Sequence, residues 1–153
     1  STISKIIYEK IKKRVPNLII VDGDKVRDLY ENKIGYDKVS RSKNTLRYIN
    51  LAKWLLSYDI SSVCAVISPF EKDREICRKN IDNYFEVYLE SSRDERVKRD
   101  QKKLYLPALK GEKKFVIDVD IPFEKPLKSD LIINTEGKKP EEIADTILKE
   151  LKL

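Results

Sequence analysis

Apolar residues follow two patterns along this chain, a helical repeat and short continuous runs. From Ile3 to Ile11 they recur at the three- and four-residue spacing of an amphipathic helix that ends before Pro16, and residues 17–21 come next as an apolar strand. The later predicted elements are helices over 24–31, 42–57, 70–80, one through Arg99 and one from Pro140, with strands over 62–67, 84–89 and 131–134. This alternation predicts an α/β fold with a mainly parallel sheet and helices on both faces.

The segment from Asp100 to Lys128 breaks the alternation. It is basic at first, interrupted by prolines and only weakly periodic. A long irregular segment in a compact domain is commonly functional, so we expect residues 100–128 to form a lid over the site. The chain as a whole, 1–153, is expected to be a single domain.

Charge indicates an anionic partner. The chain has 32 basic and 26 acidic residues, a formal net charge of +6. A nucleic acid, a nucleotide and a phosphorylated metabolite all satisfy this condition. Because the basic residues are interspersed with acidic ones instead of forming one stripe, we expect no nucleic-acid partner.

Composition also limits the chemistry and the compartment. The sequence contains no histidine, which excludes catalytic triads and metal sites that need one. Cys64 and Cys77 lack metal-site spacing and lie in apolar stretches, so buried thiols are expected. No apolar run is long enough to span a bilayer and the start is unlike a signal peptide, so we expect a cytoplasmic protein without a membrane partner.

The most informative motif is Asp22-Gly23-Asp24, directly after the first predicted strand. Ligands of open α/β sheets bind outside the carboxyl ends of the strands, so both acids are candidates for the reaction site. Two structural alternatives remain at this point. Asp-Gly is a common turn, and Asp24 could be the N-cap of the next helix.

An ordered set of short motifs resembles adenylylsulfate kinases, which transfer the γ-phosphate of ATP to the 3′-hydroxyl of adenosine 5′-phosphosulfate (APS). The matching blocks are Asp22-Gly23-Asp24-Lys25-Val26-Arg27, Ile34-Gly35-Tyr36, Arg41, Asn44, Arg47, Ile67-Ser68-Pro69-Phe70, Phe85-Glu86-Val87-Tyr88, Arg99-Asp100, Leu104-Tyr105, Phe115 and Asp120-Ile121-Pro122-Phe123-Glu124. The resemblance covers nearly the whole chain. It implies a P-loop kinase-like three-layer α/β/α fold, ATP and Mg²⁺ as cofactors, a nucleotide acceptor and a homodimer.

The same resemblance implies roles for the polar residues. Asp22 would orient the acceptor hydroxyl and take up its proton, and Asp24 would hold the magnesium shell or the acceptor. Arg27 and Arg41 would bind the acceptor's phosphate or sulfate, a task that suits the bidentate guanidinium. Asn44 matches a further acceptor-binding position.

Further site residues come from the same comparison. Tyr36 and Phe115 would sandwich the acceptor base, although core packing is the alternative for both. Ile67 and Ser68 would contact the acceptor through their backbone. Arg99 would pack on the ATP adenine, its alternative being a solvated charge at a helix end. The basic pair Lys102-Lys103 would begin the lid, or form a solvated loop face.

The front of the chain departs from the family. The P-loop motif Gly-x-x-x-x-Gly-Lys-Ser/Thr is absent, and Ser1-Thr2-Ile3-Ser4-Lys5 resembles the residues that the family has just after its P-loop lysine. Ser1 and Thr2 would then contact ATP, with Ser1 as a magnesium ligand beside Asp24. Without its first strand and P-loop, the fold should leave two neighbouring strand edges unpaired. We expect the native protein to contain roughly a dozen or more residues before Ser1, including that strand and loop.

Acceptor-side positions depart as well. Ser40-Arg41-Ser42-Lys43-Asn44 stands where the family has Asp-Arg-Asn-Glu-Asn, Glu71 replaces an arginine, and Leu106 replaces a lysine of the lid. The reaction type would be retained while the acceptor could differ. APS is the first acceptor expected, cytidine diphosphoramidate of bacterial capsule pathways is the alternative, and a non-catalytic nucleotide-binding module is a third hypothesis.

Overall fold

A computed structural model of the protein describes residues 1–31, 34–100 and 102–153. Part of the predicted 32–36 loop and Gln101 of the predicted lid therefore lie outside the described residues. The helices are α1 (Thr2–Ile11), α2 (Gly23–Asp28), α3 (Lys38–Leu56), α4 (Glu71–Asn80), α5 (Arg93–Lys98), α6 (Tyr105–Leu109) and α7 (Pro140–Glu150). The strands are β1 (Leu18–Asp22), β2 (Ser61–Ala65), β3 (Val87–Glu90) and β4 (Leu131–Asn134). Within this part of the chain, no helix has the length and apolar composition needed to cross a membrane.

All four strands pair in parallel, as the alternation of elements predicts. β1 pairs with β2, with Asp22 opposite Ala65, and β3 pairs with β4, with Glu90 opposite Asn134. The strands form two separate two-stranded sheets. β2 and β3 have no second strand partner in the described part of the chain, and both line one large cleft. This agrees with the expected pair of unpaired edges, and an additional strand between them stays a prediction.

Helices cover both faces of the sheets. Leu18 and Val21 lie three residues apart on β1 and therefore point to opposite faces. Leu18 belongs to the larger apolar core with residues of α1, β4 and α7, namely Ile7, Ile11, Ile133, Ile143, Ala144, Ile147 and Leu148. Val21 packs on the other face with Val26 and Leu55. The three-layer α/β/α prediction is confirmed.

Several boundaries differ from the predicted ones. α3 begins at Lys38, four residues before the predicted start, because Asp37 is its N-cap and accepts a hydrogen bond from the backbone nitrogen of Ser40 at 3.0 Å. β2 ends at Ala65, because Val66 to Ser68 has no partner in the ladder. The 100–128 segment contains one short helix, α6, that its weak periodicity did not indicate.

The prediction of two buried thiols is wrong for Cys64. Its side chain is exposed, and Cys77 is partly buried. Cys64 lies on β2 and lines the cleft between the two sheets. An apolar run predicts burial only where the sheet continues on both sides, and here β2 is at an edge.

Beyond the end of β2, an ionic network joins α4, Glu86 just before β3, and the segment after residue 123. Arg74 is 4% exposed and donates to the Ser68 carbonyl at 2.7 Å, the Glu124 carbonyl at 2.6 Å and Glu71 Oε2 at 2.6 Å. Arg78 binds Glu86 at 3.2 Å, and Glu86 is 8% exposed. The hydrogen bond from Arg74 fixes the backbone at Ser68, which has a positive φ of 41°.

We expect Arg74→Ala to lower the free energy of unfolding by about 3 kcal/mol or more, because it leaves Glu71 and the Ser68 and Glu124 carbonyls without their cationic partner. Urea unfolding followed by circular dichroism measures the change. Lys128→Ala is the control: Lys128 contacts Glu75 at 3.6 Å while 66% exposed, and its loss should change stability by less than about 1 kcal/mol. Equal effects of the two substitutions would contradict the stabilising role of the network.

Candidate active site

Asp22 occupies the carboxyl end of β1 and begins α2. Its Oδ1 accepts a hydrogen bond from the backbone nitrogen of Asp24 at 3.0 Å, which makes Asp22 the N-cap of that helix. The alternative in which Asp24 caps the helix is therefore wrong. Asp24 lies in the first turn of α2.

The second carboxylate oxygen of Asp22 contacts the start of the chain. Ser1 Oγ donates to Asp22 Oδ2 at 2.5 Å. This hydrogen bond, together with those from backbone N–H groups of α2, lowers the pKa of Asp22 below its ordinary value, although partial burial opposes the shift. Asp22 is thus a carboxylate at neutral pH and accepts hydrogen bonds readily.

Asp24 pairs with the predicted lid. Its carboxylate contacts the ammonium group of Lys102, and both side chains are more than half exposed. Ser1, the expected magnesium ligand, contacts Asp22 and not Asp24. The described residues include no cluster of three or more acidic or cysteine side chains that could hold a metal. Serine and aspartate oxygens nevertheless suit Mg²⁺, which typically takes only one or two protein carboxylates beside phosphate and water.

Gly23 allows close packing at the strand end. A Cβ at this position would lie 3.2 Å from the hydroxyl of Tyr48 and 3.3 Å from the carbonyl oxygen of Ala65. Tyr48 comes from α3 and donates to the Gly23 carbonyl at 3.0 Å. The glycine therefore lets α3 and the end of β2 approach the turn between the two acids.

Two arginines surround the Tyr36 ring. The guanidinium carbon of Arg27 lies 4.5 Å from the ring centroid and that of Arg41 lies 5.7 Å from it. Arg27 also donates to the Ile34 carbonyl at 3.0 Å, and Arg41 Nε donates to the Tyr36 carbonyl at 2.7 Å. Burial and the neighbouring Arg27 charge lower the pKa of Arg41. The result is a concentrated positive charge beside an aromatic ring.

Arg41 links this cluster to Phe115. Its second terminal nitrogen donates to the Phe115 carbonyl at 2.7 Å. Phe115 has a positive φ of 66°, and Asp120 stabilises that conformation by accepting from the backbone nitrogens of Phe115 and Val116 at 2.5 and 2.6 Å. Phe115 is thus positioned by hydrogen bonds rather than by apolar packing.

The Tyr36 and Phe115 rings are 55% and 46% exposed, and both line the cleft. Core packing, the alternative for these two aromatics, is therefore wrong. An exposed aromatic ring on the wall of a cleft is available to stack on a planar ligand.

Ile67 and Ser68 follow the end of β2 and line the same cleft. Ile67 is 58% exposed. Ser68 Oγ and Asn44 Oδ1 are buried and have no hydrogen-bond partner among the described residues. The amide nitrogen of Asn44 donates to the Tyr48 hydroxyl.

The predicted site residues, with one exception, line the same cleft. Its volume is about 1640 Å³, above the roughly 300–1,000 Å³ of a common small-molecule pocket. It is lined by Ser1, Thr2, Asp22, Asp24, Arg27, Tyr36, Arg41, Asn44, Ile67, Ser68 and Phe115. Arg99 does not line it. The Arg99 side chain, 49% exposed at the end of α5, binds Glu95 at 3.2 Å and donates to Thr135 Oγ1 at 3.2 Å.

Sequence reasoning missed two residues and one contact of this site. Tyr48 lies one helical turn after Asn44, and that spacing was the available signal. Asp120 was part of a matching block without a role of its own. The contact between Lys102 and Asp24 joins positions 78 residues apart, and no local pattern reports such a pairing.

Comparison with known proteins identifies the family to which the chain belongs. The family model described as Adenylylsulphate kinase matches residues 1–134. A cytidine diphosphoramidate kinase of Campylobacter jejuni is 37% identical over 154 aligned positions, covering all of this chain and 89% of the relative. An adenylyl-sulfate kinase of Oceanobacillus iheyensis is 30% identical, covering 99% of this chain and 77% of the relative.

Solved structures show the same fold. An APS kinase of Mycobacterium tuberculosis, in complex with AMPPNP and APS, superposes with a TM-score of 0.90 at 25% identity, covering 99% of this chain and 90% of that one. Family model, relatives and fold agree with one another. The chain therefore belongs to the adenylylsulfate kinase family of phosphotransferases.

Proposed function

We propose that the protein transfers the γ-phosphate of ATP to the ribose 3′-hydroxyl of a nucleotide whose phosphate chain ends in a small group, with cytidine diphosphoramidate as the acceptor. The observation that carries the reaction type is one large cleft lined by an ionised aspartate, two arginines and two exposed aromatic rings. Phosphoryl transfer requires positioning and charge neutralisation more than covalent chemistry, so the absence of histidine is compatible with it.

Asp22 is the proposed catalytic residue. Its lowered pKa makes it a weak base, which suits orienting the acceptor hydroxyl and accepting its proton late in the transfer. Bound Mg²⁺ would neutralise charge on the transferred phosphate. Ser1 and Thr2 would face ATP, and the oxygens of Ser1 and Asp24 would hold the ion, with Asp22 hydrogen-bonded to Ser1. Arg99 on the ATP adenine stays a prediction.

The acceptor side is built from Arg27, Tyr36, Arg41 and Phe115. The guanidinium groups would bind the phosphate chain, and the aromatic rings would stack on the base. Asn44 lies one helical turn after Arg41 on α3 and would contact the same end of the acceptor. Ile67 and Ser68 also line the cleft and would contact the rest of the nucleotide. Residues 100–128 would close the cleft as a lid, beginning at Lys102.

Two findings favour cytidine diphosphoramidate over APS. The relative at 37% identity is named for that substrate, whereas the adenylyl-sulfate kinase of Oceanobacillus iheyensis is 30% identical. Leu106, 61% exposed on α6, also replaces the lysine of the adenylylsulfate pattern. APS is the second candidate, because the structure with a TM-score of 0.90 holds APS. The cytoplasmic location, the single domain and the homodimer stay predictions.

Release of ADP by full-length protein supplied with ATP, Mg²⁺ and either nucleotide tests the proposal. We expect turnover with cytidine diphosphoramidate and a kcat/KM at least about tenfold lower with APS, because the lid lacks its lysine. Analysis of the product should place the new phosphate on the 3′-oxygen. Preference for APS would reverse the order of the two acceptors. Nucleotide binding without any turnover would instead support the non-catalytic module.

Asp22→Asn should lower kcat by at least about a hundredfold with cytidine diphosphoramidate while leaving the fold intact. Asparagine is as good an N-cap as aspartate, so α2 keeps its cap and only the charge is lost. Asp28→Asn, at the exposed end of α2, is the matched control and should keep full activity. Retained activity in Asp22→Asn would remove this carboxylate from the mechanism.

Phe115→Ala and Tyr36→Ala should each raise the acceptor KM about tenfold and leave the ATP KM within about twofold, because each removes one stacking surface. Both rings are about half exposed, so thermal stability should change little. Tyr58→Ala, which removes an aromatic ring that is 65% exposed outside the cleft, serves as the control. An equal rise in both KM values would argue against a base-stacking role.

A further inference from the structure

The amide of Asn44 has a defined orientation in this protein. The Tyr48 hydroxyl has a single proton, which it donates to the Gly23 carbonyl at 3.0 Å. Burial raises the pKa of Tyr48, so the hydroxyl keeps that proton at neutral pH. Toward Asn44 the hydroxyl can only accept, and the group that faces it must be the amide nitrogen of Asn44. The amide oxygen is thereby directed away from Tyr48.

That oxygen is a buried hydrogen-bond acceptor of a residue that lines the cleft. Asn44 is 3% exposed, and its Oδ1 has no partner among the described residues. A buried acceptor without a partner destabilises the protein, and a ligand that supplies an N–H donor would remove that cost. Ser68 Oγ is also without a partner in the described part of the chain, but a hydroxyl can donate or accept and does not select between ligand groups.

We propose that Asn44 Oδ1, oriented by Tyr48, accepts a hydrogen bond from the terminal P–NH₂ group of the acceptor and so selects a phosphoramidate over a phosphosulfate. This inference rests on the proposed function and names the group that the site recognises. A sulfate end offers only oxygen acceptors, which would face the amide oxygen unfavourably. Because the adenylylsulfate pattern also ends in asparagine, the residue type alone does not select the acceptor. The selecting feature is the orientation that Tyr48 gives to the amide.

Three acceptors distinguish the sources of an N–H donor. Cytidine diphosphoramidate carries a donor at its phosphate end and another on its base. The β-methyl ester of CDP has the same charge but no donor at the phosphate end, and uridine diphosphoramidate lacks the exocyclic amine of the base. Dissociation constants from calorimetry and kcat/KM values are measured for all three with full-length protein.

We expect the wild type to prefer the amidate over the methyl ester by about tenfold, the value of one hydrogen bond. Asn44→Leu should reduce that preference to about twofold or less. Tyr48→Phe should reduce it as well, because the amide is then free to rotate and present its nitrogen. Asn50→Leu, the same substitution on the exposed face of α3, is the control and should retain the preference. Thermal unfolding verifies that each variant is folded.

Two outcomes would overturn the inference. One is an amidate-to-ester ratio that Asn44→Leu leaves unchanged, which would limit Asn44 to a structural role. The other is an Asn44→Leu protein that loses a preference of the wild type for cytidine diphosphoramidate over uridine diphosphoramidate. That result would show that the Asn44 amide oxygen binds the base. Failure of the kinase proposal gives a different result, since calorimetry would still show the amidate preference in a protein that transfers no phosphate.

Discussion

The parallel pairing of β1 with β2 is the constraint on which the site depends. Their register places Asp22 opposite Ala65, so both strands end at the same edge of the sheet. β1 ends at Asp22 and leads to Asp24 in α2, and β2 ends at Ala65 and leads to Ile67 and Ser68. An antiparallel pair would send these ends in opposite directions. The crossover through α3 keeps the strands parallel and itself contributes Arg41, Asn44 and Tyr48 to the cleft.

Polar contacts, more than apolar packing, determine the geometry around the cleft. Arg74 fixes the backbone beyond β2, Asp120 fixes the turn at Phe115, and Arg41 connects that turn to Tyr36. Each is a charged side chain that binds backbone groups. Such contacts specify direction as well as distance, and this permits two aromatic rings to remain exposed in defined positions.

The elements that depend on local apolar patterns could be predicted from the sequence. The apolar run before Asp22 and the helical repeat around Ile7 depend on local burial, and the structure contains β1 and α1 where these patterns predict them. Prediction failed where a contact spans the chain, as between Lys102 and Asp24. It also failed at Cys64, where burial depends on whether β2 has a neighbour on its second edge. The role proposed for Tyr48 could not be predicted from the sequence, because it depends on which group accepts the proton of the Tyr48 hydroxyl.

The ion pair between Lys102 and Asp24 limits how firmly the proposed lid could be held by this contact. Both side chains are more than half exposed, and surface pairs of this kind contribute about 0.2–1 kcal/mol. If residues 100–128 act as a lid, this contact alone would change the ratio of closed to open forms by no more than about fivefold. Rising ionic strength should weaken the contact further, since the pair is accessible to salt.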